Sequence, residues 1–273
     1  MTMQQTGINI EGRQAKVVLR IGETSLSFAV ADSETETGVA FEPYTVRSGI
    51  STAANLREAF KNAPLLQRGH RRAHVLLDTD FLLVPAEEFN AETAAVFFHQ
   101  TYTGHEGCVV LHQSLPDLNV VVVFAINKDL KTVIEDRYEE VRFSHSCVPV
   151  WLFFHNRDHG ANSHRLYSYF HDNKMMVCCF EKGRFCFCNT FKAESSRDAV
   201  FYLLYVWKQL GLDGGRDELH LSGAIPSPWI EDTLHRYVHR VCPINLSACF
   251  NRAPITRMKQ MPFDIITYYM KGK

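Results

Sequence analysis

The chain has 273 residues, of which 46% are hydrophobic and 22% are charged. This composition is typical of a globular protein and excludes an intrinsically disordered or collagen-like chain. The 29 basic residues nearly balance the 30 acidic residues, and the formal net charge is −1. There is therefore no overall basic field for nucleic acid or an anionic membrane surface. The length predicts one large domain or two of modest size.

Two sequence features favour a cytoplasmic protein without a membrane span. The longest apolar stretch, at residues 120–126, is too short to cross a bilayer. Residues 1–16 lack the apolar segment of a secretory signal. Because a chain of this length can bury a full core without disulfides, we expect its eight cysteines to be reduced.

The first 78 residues contain a regular series of predicted elements. Alternating apolar residues predict three strands, at residues 15–21, 26–31 and 39–46. A helix is expected at residues 51–61, followed by a short buried strand at residues 73–78.

Residues 80–154 form a longer stretch than the one that follows the second series of elements, and they predict an inserted module. Its expected elements are a strand, a helix, a hairpin and a second helix, at residues 81–84, 86–99, 108–112 with 119–126, and from Asn127. Because residues 120–124 are apolar at every position, both faces of that strand need a cover, and we expect internal packing to supply it. The stretch at residues 104–113 is more polar and is expected to form an edge that can pair with a partner's strand.

The order of the first series returns in the second half of the chain. Strands are predicted at residues 165–170, 175–180 and 184–191, a helix at 195–210 and a strand at 217–221. The first strand, the helix and the last strand start at residues 15, 51 and 73 in the first series and at 165, 195 and 217 in the second. The offsets of 150, 144 and 144 residues predict a duplicated α/β fold. Since the second helix is apolar or aromatic nearly all round, we expect it to be buried on most sides.

Several stretches resemble those of a known family. They are LRIGETSLSF at residues 19–28, FLLVP at 81–85, NTF at 189–191, DAVFYLL at 198–204 and LSG at 221–223. In this order they are similar to a bacterial family of unknown function with an actin-like ATPase (ribonuclease H-like) fold, the DUF3822-type family. The resemblance implies an α/β protein of two halves with mixed sheets flanked by helices. The first half is expected at residues 1–155, with the inserted module at 80–154, and the second half at residues 156–273.

The resemblance also implies a place for Mg-nucleotide between two phosphate-binding hairpins. Each hairpin of an actin-like ATPase usually has an Asp at the strand end, then Gly and a small hydroxyl residue. Here Arg20 and Phe170 occupy the two Asp positions, and a guanidinium repels Mg²⁺. The candidate nucleotide-binding residues that remain are Gly22, Glu23, Thr24, Asp172, Asn173, Ser222 and Gly223.

Cysteines of the second half form a candidate metal site. A two-residue turn at Lys182 and Gly183 would place Cys179, Cys186 and Cys188 on one face of a hairpin. Zinc knuckles, however, normally use CxxC turns, whereas Cys186 and Cys188 have the spacing of a strand, and a fourth ligand is not evident. We therefore expect structural cysteines and no bound zinc.

Two other polar groups have simple structural interpretations. His235 and His239 are four residues apart on a predicted helix, but the Glu of a zinc-protease motif is absent between them. The basic stretch at residues 67–72 is not interleaved with aromatic residues, as it is in single-strand binders. We expect both to be solvated surface, and nucleic-acid binding ranks below the hypotheses that follow.

The sequence thus favours a non-catalytic protein with an actin-like fold that acts as an intracellular interaction or scaffold component. No catalytic residue and no metal ligand is assigned, and the expected partner is an unidentified protein. The alternative hypothesis is a nucleotide-binding ATPase of the actin-like superfamily with an atypical metal site, whose ligand would be ATP or ADP. The fold alone cannot decide between them.

Overall fold

The computed structural model of the chain describes residues 16–159, 163–258 and 260–270. The start of the first predicted strand at Ala15, and almost all of the segment in which no secretory signal was found, lie outside these ranges. Among the described helices, none has the length and apolarity needed to cross a membrane.

Of the described residues, those up to 159 form eight strands and four α-helices. They are β1 (Val17–Ile21), β2 (Leu26–Ala31), β3 (Val39–Tyr44), α1 (Thr52–Asn62), β4 (Arg72–Leu77), β5 (Phe81–Pro85), α2 (Ala91–Thr101), β6 (Cys108–Leu115), β7 (Val120–Asn127), α3 (Lys128–Glu135), β8 (Glu140–His145) and α4 (Val148–Asp158).

The remainder forms five strands and four helices. They are β9 (Arg165–His171), β10 (Lys174–Glu181), β11 (Arg184–Lys192), α5 (Ser196–Gln209), β12 (Glu218–Gly223), α6 (Pro228–Leu234), β13 (Arg240–Pro243), α7 (Leu246–Cys249) and α8 (Phe263–Met270).

Two five-stranded sheets share one topology. Their strand orders are β3-β2-β1-β4-β8 and β11-β10-β9-β12-β13. In each sheet three antiparallel strands are followed by two strands parallel to the first of them. The predicted duplication is therefore confirmed.

The helix α5 shows the local signals that the sequence predicts. The Ser195 hydroxyl accepts a hydrogen bond from the Asp198 N–H at 3.2 Å, and the Asp198 carboxylate accepts one from the Ser195 N–H at 3.0 Å, which completes a capping box. The expectation that α5 is buried on most sides is wrong. Phe201 and Tyr205 are 63% and 50% exposed, because only the opposite face of the helix packs on the second sheet.

The largest core joins the two halves through α4. Trp151 and Phe154 of this helix are fully buried in one cluster with Val17 and Leu19 of the first sheet. Phe154 also stacks on Tyr167 of β9, with 4.7 Å between ring centroids. The boundary predicted at residue 155 falls within α4, so this helix belongs to both halves.

The last helix, α8, returns to the first sheet. Ile265 and Ile266 pack in one cluster with Val18, Ala29 and Leu76, which project from the face of the sheet opposite the main core. The two faces of the first sheet are therefore covered by segments from distant parts of the chain.

Within the module predicted at residues 80–154, residues 81–127 form a separate three-stranded sheet in the order β5-β7-β6, covered by α2, whereas β8 joins the first sheet. Its central strand β7 packs Val122 and Phe124 into the main core, and Val123 against Phe98 of α2. The expected internal cover for both faces is thus present. Helix α2 begins later than predicted, because the Asn90 side chain caps its first turn.

The cysteine hairpin differs from its prediction. A β-bulge shifts the pairing between Cys179 and Phe180, so Cys188 lies opposite Cys178 and not on the face of Cys179. Cys179 and Cys186 form a disulfide, and the expectation of reduced cysteines is wrong for this pair. Sequence analysis placed Cys188 on the wrong face, because a single extra residue in a strand moves every following side chain to the opposite face of the sheet.

The two other polar groups are also placed. His235 and His239 do not share a helix, because α6 ends at Leu234 and the chain then turns into β13. The arginines of the basic stretch form surface ion pairs with carboxylates: Arg68 with Asp32, Arg71 with Glu139 and Arg72 with Glu140.

The disulfide allows a stability test. It closes a loop of about eight residues, for which the chain-entropy model gives a stabilisation of about 2.5 kcal/mol. We expect Cys186→Ser to lower the free energy of unfolding by about this amount in oxidising buffer, measured by urea denaturation. In a reducing buffer the variant and the wild type should match. Cys249→Ser, which removes a free cysteine, is the control, and an equal loss in this variant would contradict the prediction.

Candidate functional site

Two hairpins face each other at the junction of the two sheets. One is the β1–β2 turn at residues 22–25, and the other is the β9–β10 turn at residues 172–173. These are the hairpins that the resemblance assigned to phosphate binding. The contacts between them determine what the cleft can hold.

Arg20 of β1 connects three separate parts of the chain. Its side chain is only 3% exposed. Its Nε donates to Asp264 of α8 at 2.6 Å, its Nη1 donates to the Ser25 hydroxyl at 2.9 Å, and its Nη2 lies 2.8 Å from the carboxylate of Asp172. All three nitrogens of the guanidinium therefore have partners within the protein.

Neighbouring carboxylates stabilise the charged form of Arg20. Burial alone would lower the pKa of Arg20, but the negative charges of Asp264 and Asp172 outweigh this effect and raise it well above its ordinary value. Because Asp264 is fully buried, its carboxylate would be costly to leave without this cation.

A second ion-pair group crosses the same junction. Asp78, directly after β4, lies 3.1 Å from Nε2 of His171 and 3.5 Å from Nζ of Lys174. Burial would raise the pKa of Asp78, but the hydrogen bond and charge of His171, followed by the charges of Lys174 and Arg20, lower it well below its usual range. Ion pairs therefore link the first sheet to the β9–β10 hairpin at two points.

The predicted site residues are only partly brought together. Gly22 and Asp172 meet beside Arg20, and Thr24 and Gly223 line the cavity next to them. Glu23 and Asn173 are exposed, and neither lines this cavity. Ser222 is buried and donates its hydroxyl to the Ser168 carbonyl of β9, so it serves the sheet.

Two glycines allow the close packing at this junction. A Cβ at Gly22 would lie 2.8 Å from the Ser25 hydroxyl and 3.2 Å from Oδ2 of Asp172. A Cβ at Gly223, where φ is +81°, would lie 2.2 Å from the Phe170 carbonyl oxygen. In this chain, the missing side chain of Gly22 leaves room for the carboxylate of Asp172.

A cavity of about 580 Å³ adjoins the Arg20 ion pairs. It is bounded by β2, β3, the ends of β9 and β12, and the segment that leads into α8. Its lining combines polar groups, among them Thr24 and Ser27, with apolar side chains such as Phe41, Tyr44 and Phe263.

The residues present do not fit Mg-nucleotide as a pair of Asp-bearing hairpins would hold it. Each of the three guanidinium nitrogens of Arg20 already contacts a protein oxygen, and the carboxylates of Asp172 and Asp264 already pair with it. Phe170, at the second Asp position, is buried in the core of the second sheet. Within the described ranges, no group of three or more His, Cys, Asp or Glu side chains is arranged to hold a metal ion.

Sequence analysis missed several of the contacts in this junction. Asp264 had a detectable signal, because it is the single carboxylate in the otherwise apolar or uncharged helix FDIITYYM. Asp78 had one also, since a carboxylate directly after a buried parallel strand lies at the edge where such strands end. The pairing of either with Arg20 or His171 depends on the tertiary fold and has no local pattern.

The ion pairs of Arg20 predict a large stability effect. Arg20→Met leaves a fully buried carboxylate at Asp264 without its cation, and we expect a loss of about 3–5 kcal/mol in the free energy of unfolding. Urea denaturation followed by circular dichroism measures it. Arg47→Ala, which breaks the exposed pair with Glu58, is the matched control and should cost less than about 1 kcal/mol.

The double variant Arg20→Met/Asp264→Leu separates charge from packing. Removing both buried charges should recover part of the loss, because an apolar pair can replace a buried ion pair. A single variant Arg20→Met within 1 kcal/mol of the wild type would contradict the assigned role of the ion pair.

Comparison with known proteins identifies the fold. The chain is similar to a Bacteroides thetaiotaomicron protein with an actin-like ATPase fold and unknown function, with 27% identity over 85% of this chain and 91% of that one and a TM-score of 0.77. The PilM–PilN type IV pilus biogenesis complex matches with 11% identity over 85% of this chain and 89% of that one, with a TM-score of 0.51. The predicted actin-like fold is confirmed.

Sequence comparison gives the family. None of the curated proteins matches the chain. The model of a family described as a protein of unknown function, DUF3822, matches residues 4–241. With nearly the whole length matched, the chain belongs to the DUF3822 family, as the sequence motifs predicted.

Proposed function

We propose that this protein is a non-catalytic member of the actin-like fold that acts as a protein-interaction or scaffold component. The observation that carries the proposal is the ion pair between Arg20 and Asp172, which joins the two hairpins where the fold would hold phosphates. A guanidinium whose three nitrogens all contact protein oxygens favours a fixed connection between the halves over a cleft that opens and closes with nucleotide.

The proposed location is the cytoplasm. Six of the eight cysteines are free in the structure, and unpaired thiols are usual in reducing compartments. The proposed partner is a protein. PilM, a neighbour of the same fold, is found in a complex with PilN, and a partner of this general kind is part of the proposal.

The proposed working surface is the inserted module and not the cleft. Strand β6 is an edge of the three-stranded sheet, so its outer backbone groups are available to a partner's strand. On the side of β5, Glu87 lies 3.6 Å from Arg184 in the second half. Helix α2 adds exposed apolar surface, because Val96 and Phe97 are 55% and 58% exposed.

A second candidate function is nucleotide binding with an atypical metal site. The cavity of about 580 Å³ favours it, because it combines the Thr24 side of the first hairpin with Gly223 and Ala224 at the end of β12. Phosphates could enter only if Asp172 released the guanidinium of Arg20. The two proposed roles therefore differ in one testable point: the ATPase role requires the ion pair between Arg20 and Asp172 to open, and the scaffold role requires it to stay closed.

The first test is phosphate release from Mg-ATP by the purified protein. We expect no steady-state rate above the protein-free background, because no positioned carboxylate is free to organise a metal. A parallel thermal-shift measurement with ATP or ADP, with and without Mg²⁺, checks binding alone. A rate above background that disappears in Asp172→Asn would contradict the scaffold proposal and favour the ATPase.

The second test compares partner capture by variants of two surfaces. The double variant Val96→Lys/Phe97→Glu and the β6 variant His112→Glu/Ser114→Glu alter the module, whereas Gly22→Arg alters the cleft. We expect quantitative mass spectrometry of captured proteins to show losses for the module variants only.

Phe201→Glu on α5 is the matched control, because it changes an equally exposed aromatic side chain outside the module. Circular dichroism should show that each variant is folded. If capture is lost only in Gly22→Arg, the cleft is the working surface and the proposed location is wrong.

A further inference from the structure

A second cavity lies on the outer side of the first sheet, away from the cleft. Its volume is about 360 Å³. Strands β4 and β8, the first turn of α4 and the end of α8 enclose it, and one residue of β6 closes its rim. It contains none of the residues that the actin-like resemblance assigned to nucleotide.

A hydrogen-bonded chain of three side chains forms one wall. The imidazole of His74 lies 2.7 Å from the Ser144 hydroxyl through Nε2 and 2.8 Å from the Tyr268 hydroxyl through Nδ1. Burial, and after it the charges of Lys16 and Arg142, together lower the pKa of His74 to about 3. The imidazole is therefore neutral near pH 7, and it donates one hydrogen bond and accepts the other.

Two cations stand beside this wall without counter-charges. Lys16 and Arg142 both line the cavity, and Lys16 lies 5.3 Å from the ring centroid of Tyr268. Neither forms an ion pair with any described carboxylate. The adjacent Arg72 does, since it pairs with Glu140. Within the described residues, the cavity thus carries two positive charges without an ion-pair partner, and these attract an anion.

The cavity also contains polar atoms that the protein leaves without partners. The side-chain oxygen of Gln113 and the hydroxyl of Tyr269 are buried and form no hydrogen bond with the described residues. Burial raises the pKa of Tyr269 well above its ordinary value, so its hydroxyl keeps its proton and can donate it in a hydrogen bond. Buried polar groups normally have partners, and a ligand would supply them.

The rest of the lining is suited to the body of a small organic molecule. Leu76, Val148 and Leu152 supply apolar surface, as in most ligand cavities. The first turn of α4 contributes a weak positive field at its N-terminus, because the N-cap Cys147 forms no side-chain capping bond there.

We propose that this cavity binds a small anion through a phosphate or carboxylate group, with Arg142 and Lys16 as the residues that recognise the charge. The planar guanidinium can donate two parallel hydrogen bonds to two oxygens of either group. Lys16 adds a second positive charge, the Tyr269 hydroxyl donates to the bound anion, and the Gln113 oxygen accepts from a hydroxyl or N–H group of the same molecule. This binding is independent of the cleft, and it shares only Gln113 of β6 with the three-stranded sheet of the module.

The test is isothermal titration calorimetry of the folded full chain with inorganic phosphate and, separately, with acetate, at constant ionic strength. We expect saturable binding in at least one arm, and the tighter arm identifies the group. Arg142→Gln should weaken that binding about tenfold, because it removes a charge-assisted hydrogen bond, and Lys16→Gln should weaken it also. Both side chains lie at the rim, so folding should be retained.

Arg236→Gln is the control, because Arg236 is an exposed arginine far from the cavity in the fold. A second readout locates the site: in protein with labelled histidine, the ring resonances of His74 should shift during the titration. No binding in either arm, or equal affinity in the wild type and Arg142→Gln, would overturn the proposal.

Discussion

The structure depends on one buried cation. Arg20 lies at the end of the first strand, yet its two carboxylate partners come from residues 172 and 264, in the opposite hairpin and the last helix. Desolvating three charged groups is costly, and only close geometry repays it. The packing of both halves and of α8 is therefore tied to one side-chain position. This arrangement gives specificity of assembly, which an apolar contact at the same place would supply less strictly.

The order of the predicted strands and helices could be derived from the sequence, because each of these elements depends on a local pattern. Local patterns predicted four strands of each five-stranded sheet, although β8 and β13 were not predicted, and Ser195 with Asp198 predicted the start of α5. The candidate site could be predicted from the sequence only in part. Arg20 was noticed as the wrong charge for a metal, but its meaning depended on partners 152 and 244 residues away. Likewise, no local pattern shows the bulge at Cys186, which reverses the faces of the residues that follow it.

The inserted module and the cleft differ in how their polar groups are satisfied. At the cleft, side chains from both halves complete each other's charges, as in the group around Asp78. In the module, backbone groups along β6 face outward at a sheet edge. Unsatisfied backbone at an edge is where proteins most readily add a strand. Ion pairs thus connect the two hairpins of the cleft, whereas the outer edge of β6 offers hydrogen-bonding capacity elsewhere.

The return of α8 to the first sheet has a consequence for biosynthesis. The outer face of β1, β2 and β4 is completed by residues 263–270, so the N-terminal sheet emerges from the ribosome with an uncovered apolar face. Domains that form early during translation usually fold as units. The first sheet, however, cannot complete its packing until α8 has been synthesised. Contacts of such long sequence separation slow folding and prolong exposure to aggregation. We expect chaperones to bind the uncovered apolar face of the nascent chain until synthesis has passed residue 270.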